Sequence, residues 1–295
     1  MATQKQGKKG KGGIILTVVG LVLVILGALW MAVIFPIFDK VPTDYGRTYY
    51  FEGNFQALNP ATFSLDSFPI KQTLVQEAVG TQDGNLLIHE KRTVVRTDTG
   101  EDISARYGDE STLCVDRHTL KYMPECDERQ RWGCWGPPRG LGEGDSYDLW
   151  NPGAKKPLTA KYVKADEFRG MEVALFTIDE KDIPIGMAPQ INAPMYMSTT
   201  INFVYDPKTG AVVDNNSHTV TTLDMGGNRV TAQISDVRYA EQTIVDLMDV
   251  AKSAGRMLLW FESIIPWLLI GVGAVLVIVG VLLIAKKRAT PALTG

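Results

Sequence analysis

The chain has 295 residues, of which 45% are hydrophobic, and a net charge of −3 from 30 basic and 33 acidic residues. Seven of the basic residues lie in the two terminal tails, leaving 23 against all 33 acidic residues, so the middle of the chain carries a charge near −10. An acidic surface repels nucleic-acid phosphates, which excludes nucleic acid as a partner.

Two uncharged apolar runs, at residues 14–35 and 267–285, lie near the ends of the chain. Each is about as long as a helix that crosses a hydrocarbon core of roughly 30 Å. The first run is longer than the apolar region of a signal peptide and lacks a small-residue cleavage site, so we predict an uncleaved anchor. A membrane helix satisfies its own backbone hydrogen bonds, and both runs are therefore predicted to be membrane spans.

Basic residues on the outer side of each run predict the orientation of the chain. Cytoplasmic segments carry an excess of Lys and Arg, so both termini are expected in the cytoplasm and the middle domain outside the cytoplasmic membrane. These residues are Lys5, Lys8, Lys9, Lys11, Lys286, Lys287 and Arg288. The predicted organisation is a tail (1–13), a transmembrane helix (14–35), an extracytoplasmic β-rich domain (36–240), an amphipathic stalk helix (241–263), a second transmembrane helix (264–285) and a second tail (286–295).

Between the spans, short stretches alternate apolar and polar residues and are separated by turn residues, which is typical of β-strands. Met225-Gly226-Gly227-Asn228 is the clearest hairpin turn. The pattern predicts an antiparallel sandwich or a barrel-like sheet. The predicted strands are 86–96, 112–115, 120–123, 160–163, 172–178, 201–205, 211–213, 217–223 and 229–239.

Two apolar stretches, 131–153 and 183–196, lack this alternation and are predicted to be irregular loops. Aromatic residues and Met favour burial, so such loops line ligand cavities or form contact surfaces. The candidate ligand-lining residues are Met187, Ile191, Met195, Tyr196, Trp132 and Trp135.

Three cysteines, Cys114, Cys126 and Cys134, lie within 21 residues. In an oxidising compartment they predict one disulfide and one free thiol. A tight hairpin at 117–119 would place Cys114 opposite residues 120–122, which favours the Cys126–Cys134 pair. A zinc site with His118 is the alternative, but the spacing matches no zinc motif, so no metal is expected.

Two further patterns concern helices. Ile244, Leu247, Met248 and Ala251 form the stripe of an amphipathic helix, either a stalk packed on the domain or a helix in the headgroup plane. In the spans, Gly20 and Gly27 are seven residues apart, as are Gly273 and Gly280, so each helix has two small residues on one face. These glycines are the candidates for helix pairing.

The sequence contains almost no motif that is typical of an enzyme active site. Asp98-Thr99-Gly100 matches the tripeptide of aspartic proteases, but it occurs once and follows Arg96, so a turn is the better interpretation. No nucleophile elbow and no phosphate-binding loop occurs in the sequence. We therefore expect neither an enzyme nor a cofactor.

An ordered set of segments resembles the DUF3068 family, labelled porin PorA. They are Asn59-Pro60-Ala61-Thr62-Phe63, Val115-Asp116-Arg117-His118-Thr119, Leu149-Trp150-Asn151-Pro152, Ala160-Lys161-Tyr162-Val163, Tyr205-Asp206-Pro207-Lys208-Thr209-Gly210-Ala211-Val212-Val213 and Asp236-Val237-Arg238-Tyr239. Residues 126–139 and 183–197 depart from it. The resemblance implies a prokaryotic cell-envelope protein, although two spanning helices around a polar domain are not the pattern of an outer-membrane barrel.

The architecture is more distantly similar to CD36-type scavenger receptors, in which two terminal helices hold a β-rich outer domain with a lipid-conducting tunnel. Two hypotheses follow. The domain either binds or passes a membrane lipid or other hydrophobic ligand, or it is a structural or assembly subunit whose partner is a second copy or another membrane protein.

Overall fold

The computed structural model describes residues 11–59, 61–188 and 191–288. They divide into two compact units, 11–40 with 255–288, and 41–254. Lys5, Lys8 and Lys9 lie outside the described residues, as do the side chains of Lys287 and Arg288.

In chain order the elements are α1 (Gly12–Leu29), a π-helical turn (Trp30–Ile34), α2 (Phe35–Phe38), β1 (Gly46–Leu58), β2 (Leu65–Gln82), β3 (Asn85–Arg96), α3 (Ser104–Tyr107), β4 (Asp109–Val115), β5 (Ser146–Asn151), β6 (Lys156–Phe168), β7 (Met171–Ala188), β8 (Ala193–Tyr205), β9 (Val212–Met225), β10 (Asn228–Tyr239), α4 (Glu241–Leu258), a second π-helical turn (Leu259–Ile264) and α5 (Ile265–Arg288).

The first unit is a pair of apolar helices, α1 and α5, in close contact. Two helical stretches, Gly12–Phe38 and Glu241–Lys286, are long and apolar enough to cross a membrane. All four glycines singled out from the sequence face the other helix. A Cβ on Gly20 would lie 2.5 Å from the Gly273 carbonyl oxygen, one on Gly27 2.9 Å from the Pro266 oxygen, and one on Gly280 2.7 Å from the Gly13 oxygen.

The second unit is built on one ten-stranded antiparallel sheet, curved as a half-barrel, with the order β4-β3-β2-β1-β10-β9-β8-β7-β6-β5. This confirms the barrel-like alternative and not the sandwich. The first and last strands are neighbours at the middle of the sheet, where Phe51 pairs with Tyr239. On β2, every second residue from Phe68 to Gln76 is buried, because a strand directs alternate side chains to one face.

The segment between β4 and β5 connects the two edges of the half-barrel. The Met123 amide donates to the Cys114 carbonyl (2.8 Å), and the Tyr122 amide donates to the Gly133 carbonyl (3.0 Å). On the other side, the Cys134 amide donates to the Asp148 carbonyl of β5 (2.7 Å). Backbone hydrogen bonds therefore continue from one edge strand to the other.

Helix α4 packs on the sheet through the stripe recognised in the sequence. Ile244, Leu247, Met248 and Ala251 are buried in one cluster with Val213 of β9, Tyr239 of β10 and Val173 of β7. An ion pair fixes the start of the helix, with Arg169 Nη2 2.8 Å from Glu241 Oε2. α4 thus covers the end of the half-barrel at which β1 begins and β10 ends, which we call the proximal end. The opposite end is the distal end.

Several strand predictions were wrong. Residues 183–196 are mostly strand, since β7 continues to Ala188 and β8 begins at Ala193. β-Bulges after Glu180 and Pro184 shift the register there and mask the alternation. The stretch 131–153 contains β5, residues 120–123 form only isolated bridges, and the strands β1 and β2 had not been predicted.

The preferred cysteine pairing was also wrong. Cys114 forms a disulfide with Cys126, and Cys134 is a buried free thiol. The hairpin does form, but Cys114 faces Met123, one residue beyond the range 120–122 that the hairpin argument gave. The chain then turns back at once, since the amides of Cys126 and Asp127 both donate to the Met123 carbonyl. This turn places Cys126 beside Cys114.

Candidate functional site: a groove at the distal end

The structure does not bring the six candidate ligand-lining residues together. Met187 and Ile191 are exposed at the β7–β8 hairpin, and Met195 packs nearby on Ala188, Ala193 and Leu223. Tyr196 lies under Arg229, whose guanidinium carbon is 3.6 Å from the ring centroid. The two tryptophans lie elsewhere: Trp132 is exposed, and Trp135 packs edge-on against Tyr45.

A groove of about 820 Å³ lies at the distal end, where β1 ends, β2 begins, and β3 leads into α3. None of those six residues lines it. Its volume falls in the range of small-molecule sites, roughly 300–1,000 Å³. The lining residues are Ala57, Leu58, Asn59, Leu65, Asp66, Ser67, Phe68, Arg96, Glu101, Asp102, Ile103, Ala105, Arg106 and Tyr107. We call these residues the distal groove.

The apolar part of the distal groove rests on an aromatic cluster. Phe55 packs edge-on against Phe68, with centroids 6.3 Å apart, and against Tyr107, with centroids 5.2 Å apart. Ile70 and Val94 complete this buried cluster, and Ile103 packs on it. The rings come from β1, β2 and α3, and Val94 adds a residue of β3, so the shape of the groove depends on the sheet and not on one loop.

Arg96 forms one polar wall of the groove. Its guanidinium donates two hydrogen bonds to the Asp98 carboxylate, at 3.1 and 2.8 Å, and its guanidinium carbon lies 4.5 Å above the Phe68 ring. These hydrogen bonds lower the pKa of Asp98, which therefore stays ionised. The Asp98-Thr99-Gly100 tripeptide accordingly forms a turn whose carboxylate is held by Arg96, with Gly100 in the left-handed region at φ 75°.

Of the carboxylates that line the groove, Glu101 lies 3.9 Å from Arg96 Nη1, and the other two accept local hydrogen bonds. Asp102 accepts from the Ser104 amide at 2.8 Å, and bonds from Ser104 lower the pKa of its carboxyl. Asp66 accepts from the Asn59 side chain at 2.9 Å. Arg106 differs, because its guanidinium carbon lies 5.1 Å from the Tyr107 ring centroid and no carboxylate among the described residues pairs with it. Its guanidinium is the cation of the groove left available to a ligand.

Beside the groove, three hairpin tips present apolar side chains to solvent. The hairpins are held together by Leu58, Ala188, Ala193, Leu223 and Ala232, which pack in one cluster. We call the exposed side chains the distal tip. They are Phe63 (75% exposed), Met187 (47%), Ile191 (51%) and Met225 (46%).

A smaller cavity of about 280 Å³ lies at the proximal end, between the start of β1 and the start of α4. Thr243 both accepts from the Tyr50 amide (2.7 Å) and donates to the Tyr50 carbonyl (3.0 Å). The Thr243 hydroxyl thereby joins α4 to β1 at this cavity.

Comparison with known proteins decides the family. The sequence pattern of the porin PorA family matches residues 12–282, which include α1, the whole sheet and most of α5. The chain belongs to the porin PorA family. No curated protein matches it at a significant level. In this PorA-family chain, the family region therefore covers the groove, the distal tip and the helix pair together.

Sequence reasoning missed the residues of the distal groove. The aromatic residues of the groove and of the cluster beneath it lie on separate elements. Phe55, Phe68 and Tyr107 are brought together only by the pairing of β1 with β2 and the placement of α3. The one usable signal was Arg96 beside Asp98-Thr99-Gly100, which marks the end of β3.

Proposed function

We propose that this chain is a non-enzymatic, membrane-anchored β domain that binds an amphipathic ligand, a lipid or another hydrophobic molecule, in the distal groove. The observation that supports it is the groove itself, which combines an aromatic and aliphatic floor with the available guanidinium of Arg106. An apolar chain would lie along Leu58, Phe68 and Ile103, and a polar or anionic head group would face Arg106.

The test uses the full chain in phosphatidylcholine nanodiscs that contain a diazirine-bearing fatty acid. Illumination is expected to label peptides that contain residues 57–68 and 96–107. Ala105 is exposed in α3 and lines the groove, so Ala105→Trp should fill it and abolish the labelling. Ala165→Trp, at an exposed position of β6 outside the groove, should leave it unchanged. Labelling confined to α1 and α5 would contradict the proposal.

A second candidate function, a structural or assembly subunit, is favoured by the distal tip. Exposed apolar side chains grouped on one end are typical of contact surfaces between proteins. Native mass spectrometry of the same nanodiscs separates the two functions. A chain that carries labelled fatty acid without a protein partner supports ligand binding, whereas a stoichiometric partner or a fixed oligomer without labelled fatty acid supports assembly.

A further inference from the structure

The outer edge of β4 is covered by side chains where a neighbouring strand would normally lie. In an antiparallel pair, residues alternate between those whose peptide groups face the partner strand and those whose groups face away. At its C-terminal end β4 also contacts the chain that follows it, through the Val115–Tyr122 bridge and the hydrogen bond from the Met123 amide to the Cys114 carbonyl. Over Asp109–Leu113, the named strand paired with β4 is β3, so the outward groups of alternate residues there lie at an edge of the sheet. Such an edge is a template for another strand.

Side chains of the segment 126–131 satisfy four of these outward groups, while the Met123 amide satisfies the Cys114 carbonyl. The Thr112 amide donates to Glu128 Oε2 at 2.6 Å, and the Thr112 carbonyl accepts from Arg131 Nη1 at 3.3 Å. The Cys114 amide donates to Asp127 Oδ2 at 3.2 Å. The Glu110 carbonyl accepts from Arg129 Nη2 at 2.9 Å. Carboxylates therefore meet the amides, and guanidiniums meet the carbonyls, as the backbone of a strand would.

Two further contacts hold this segment in place. Asp127 and Arg131 form a buried ion pair, with Arg131 Nη1 2.9 Å from Asp127 Oδ2, and Arg131 also donates to Ser111 Oγ at 2.5 Å. The disulfide between Cys114 and Cys126 ties the start of the segment directly to β4. The segment thus has both polar and covalent attachment to the edge that it covers.

We infer that residues 126–131 form an edge cap that prevents β4 from pairing with β4 of a second copy of this chain. The occupant of the uncovered edge would be a second copy, because an antiparallel strand edge is complementary to itself about a twofold axis. With the edge cap in place, the sheet ends at β4. Without the cap, the sheet would continue into β4 of a second molecule. This inference is independent of the ligand-binding function.

The test compares two full-chain variants in the same detergent. The open-edge variant carries Cys114→Ala, Cys126→Ala, Glu128→Ala and Arg129→Ala, so it loses the disulfide and two cap side chains. The matched control carries both cysteine changes with Glu52→Ala and Arg238→Ala, which remove an exposed Glu–Arg pair on β1 and β10. We expect the mass of the open-edge variant to double relative to wild type, and that of the control to match wild type.

Two additional measurements decide the outcome if the open-edge variant folds poorly. The Thr112 amide faces away from β3, so Thr112→Pro removes it without breaking a hydrogen bond between β4 and β3. Adding Thr112→Pro to the open-edge variant should therefore restore the wild-type mass. In the wild-type chain, the amide of Thr112 should exchange with deuterium slowly. An unchanged mass in a folded open-edge variant, or rapid exchange at Thr112 in wild type, would overturn the inference.

Discussion

At the residue scale, the most constrained charges are those of Asp127 and Arg131. Their side chains are 0% and 3% exposed, and Asp127 also accepts from the backbone amides of Arg129 and Arg131, at 2.9 and 3.0 Å. A buried charge without its partner is costly, since neither water nor another group compensates for it. Removing either Asp127 or Arg131 alone would therefore leave the other charge buried without its partner.

We predict that Asp127→Ala lowers the free energy of unfolding by about 3–5 kcal/mol, because it leaves the Arg131 guanidinium buried and unpaired. Urea unfolding of the full chain in detergent, followed by tryptophan fluorescence, measures this. Asp166→Ala is the control, since Asp166 pairs with Lys164 on the surface, where both side chains are largely exposed. Equal effects of the two substitutions would show that burial does not set the energy of the Asp127 pair.

At the element scale, the contact of α1 with α5 depends on backbone approach. A Cβ on Gly273 would lie 2.6 Å from the Gly20 carbonyl oxygen and 2.9 Å from the Val24 amide nitrogen. Both neighbours are backbone atoms, so rotation of a side chain cannot relieve the clash. Only glycine permits this separation, as expected for membrane helices that pack through small residues.

We predict that Gly273→Ala moves the two helices apart by about 1 Å, which restores an ordinary contact of roughly 3.5 Å. Pulsed electron resonance between spin labels at the exposed positions Leu21 and Val272 should show a longer and broader distance distribution. Gly271→Ala lies on the same helix with nothing within 4 Å of its added Cβ, and it should leave the distribution unchanged. A shift of equal size in both variants would refute the role of Gly273.

At the scale of the whole molecule, we propose that both termini are cytoplasmic and the sheet is extracytoplasmic, as the basic tails indicate. A cysteine placed at exposed Thr81 of β2 should react with a membrane-impermeant maleimide in intact cells, and one placed at Thr294 should react only after lysis. Background labelling should be low, because Cys114 and Cys126 are disulfide-bonded and Cys134 is buried. The reverse pattern would invert the proposed topology.

Local signals in the sequence were sufficient for the two apolar helices, α4 and the β9–β10 hairpin. The Gly226-Gly227 turn joins β9 and β10 as predicted, with both glycines at positive φ. The stripe beginning at Ile244 is the buried face of α4. These features depend on periodicity and turn chemistry over a few residues, which a single sequence displays directly.

Non-local pairing could not be predicted in the same way. The pairing of β1 with β10 joins residues almost 190 positions apart, such as Phe51 and Tyr239, and no pattern in either strand specifies the other. The edge cap could not be predicted from the sequence for a related reason. Glu128 and Arg129 are ordinary surface charges in the sequence, and their role follows only from the position of β4.

The pairing of β1 with β10 also sets the order in which the domain is made. During synthesis, the strand that completes the middle of the sheet is the last of the ten to leave the ribosome. Until it arrives, β1 and β9 both expose an unpaired edge, and the two halves of the sheet have no strand between them. A nascent chain that stops before residue 228 would present two aggregation-prone edges in place of a folded domain. Completion of the sheet is therefore a late, long-range step, after which only α4 and the segment containing the second apolar helix remain to be synthesised.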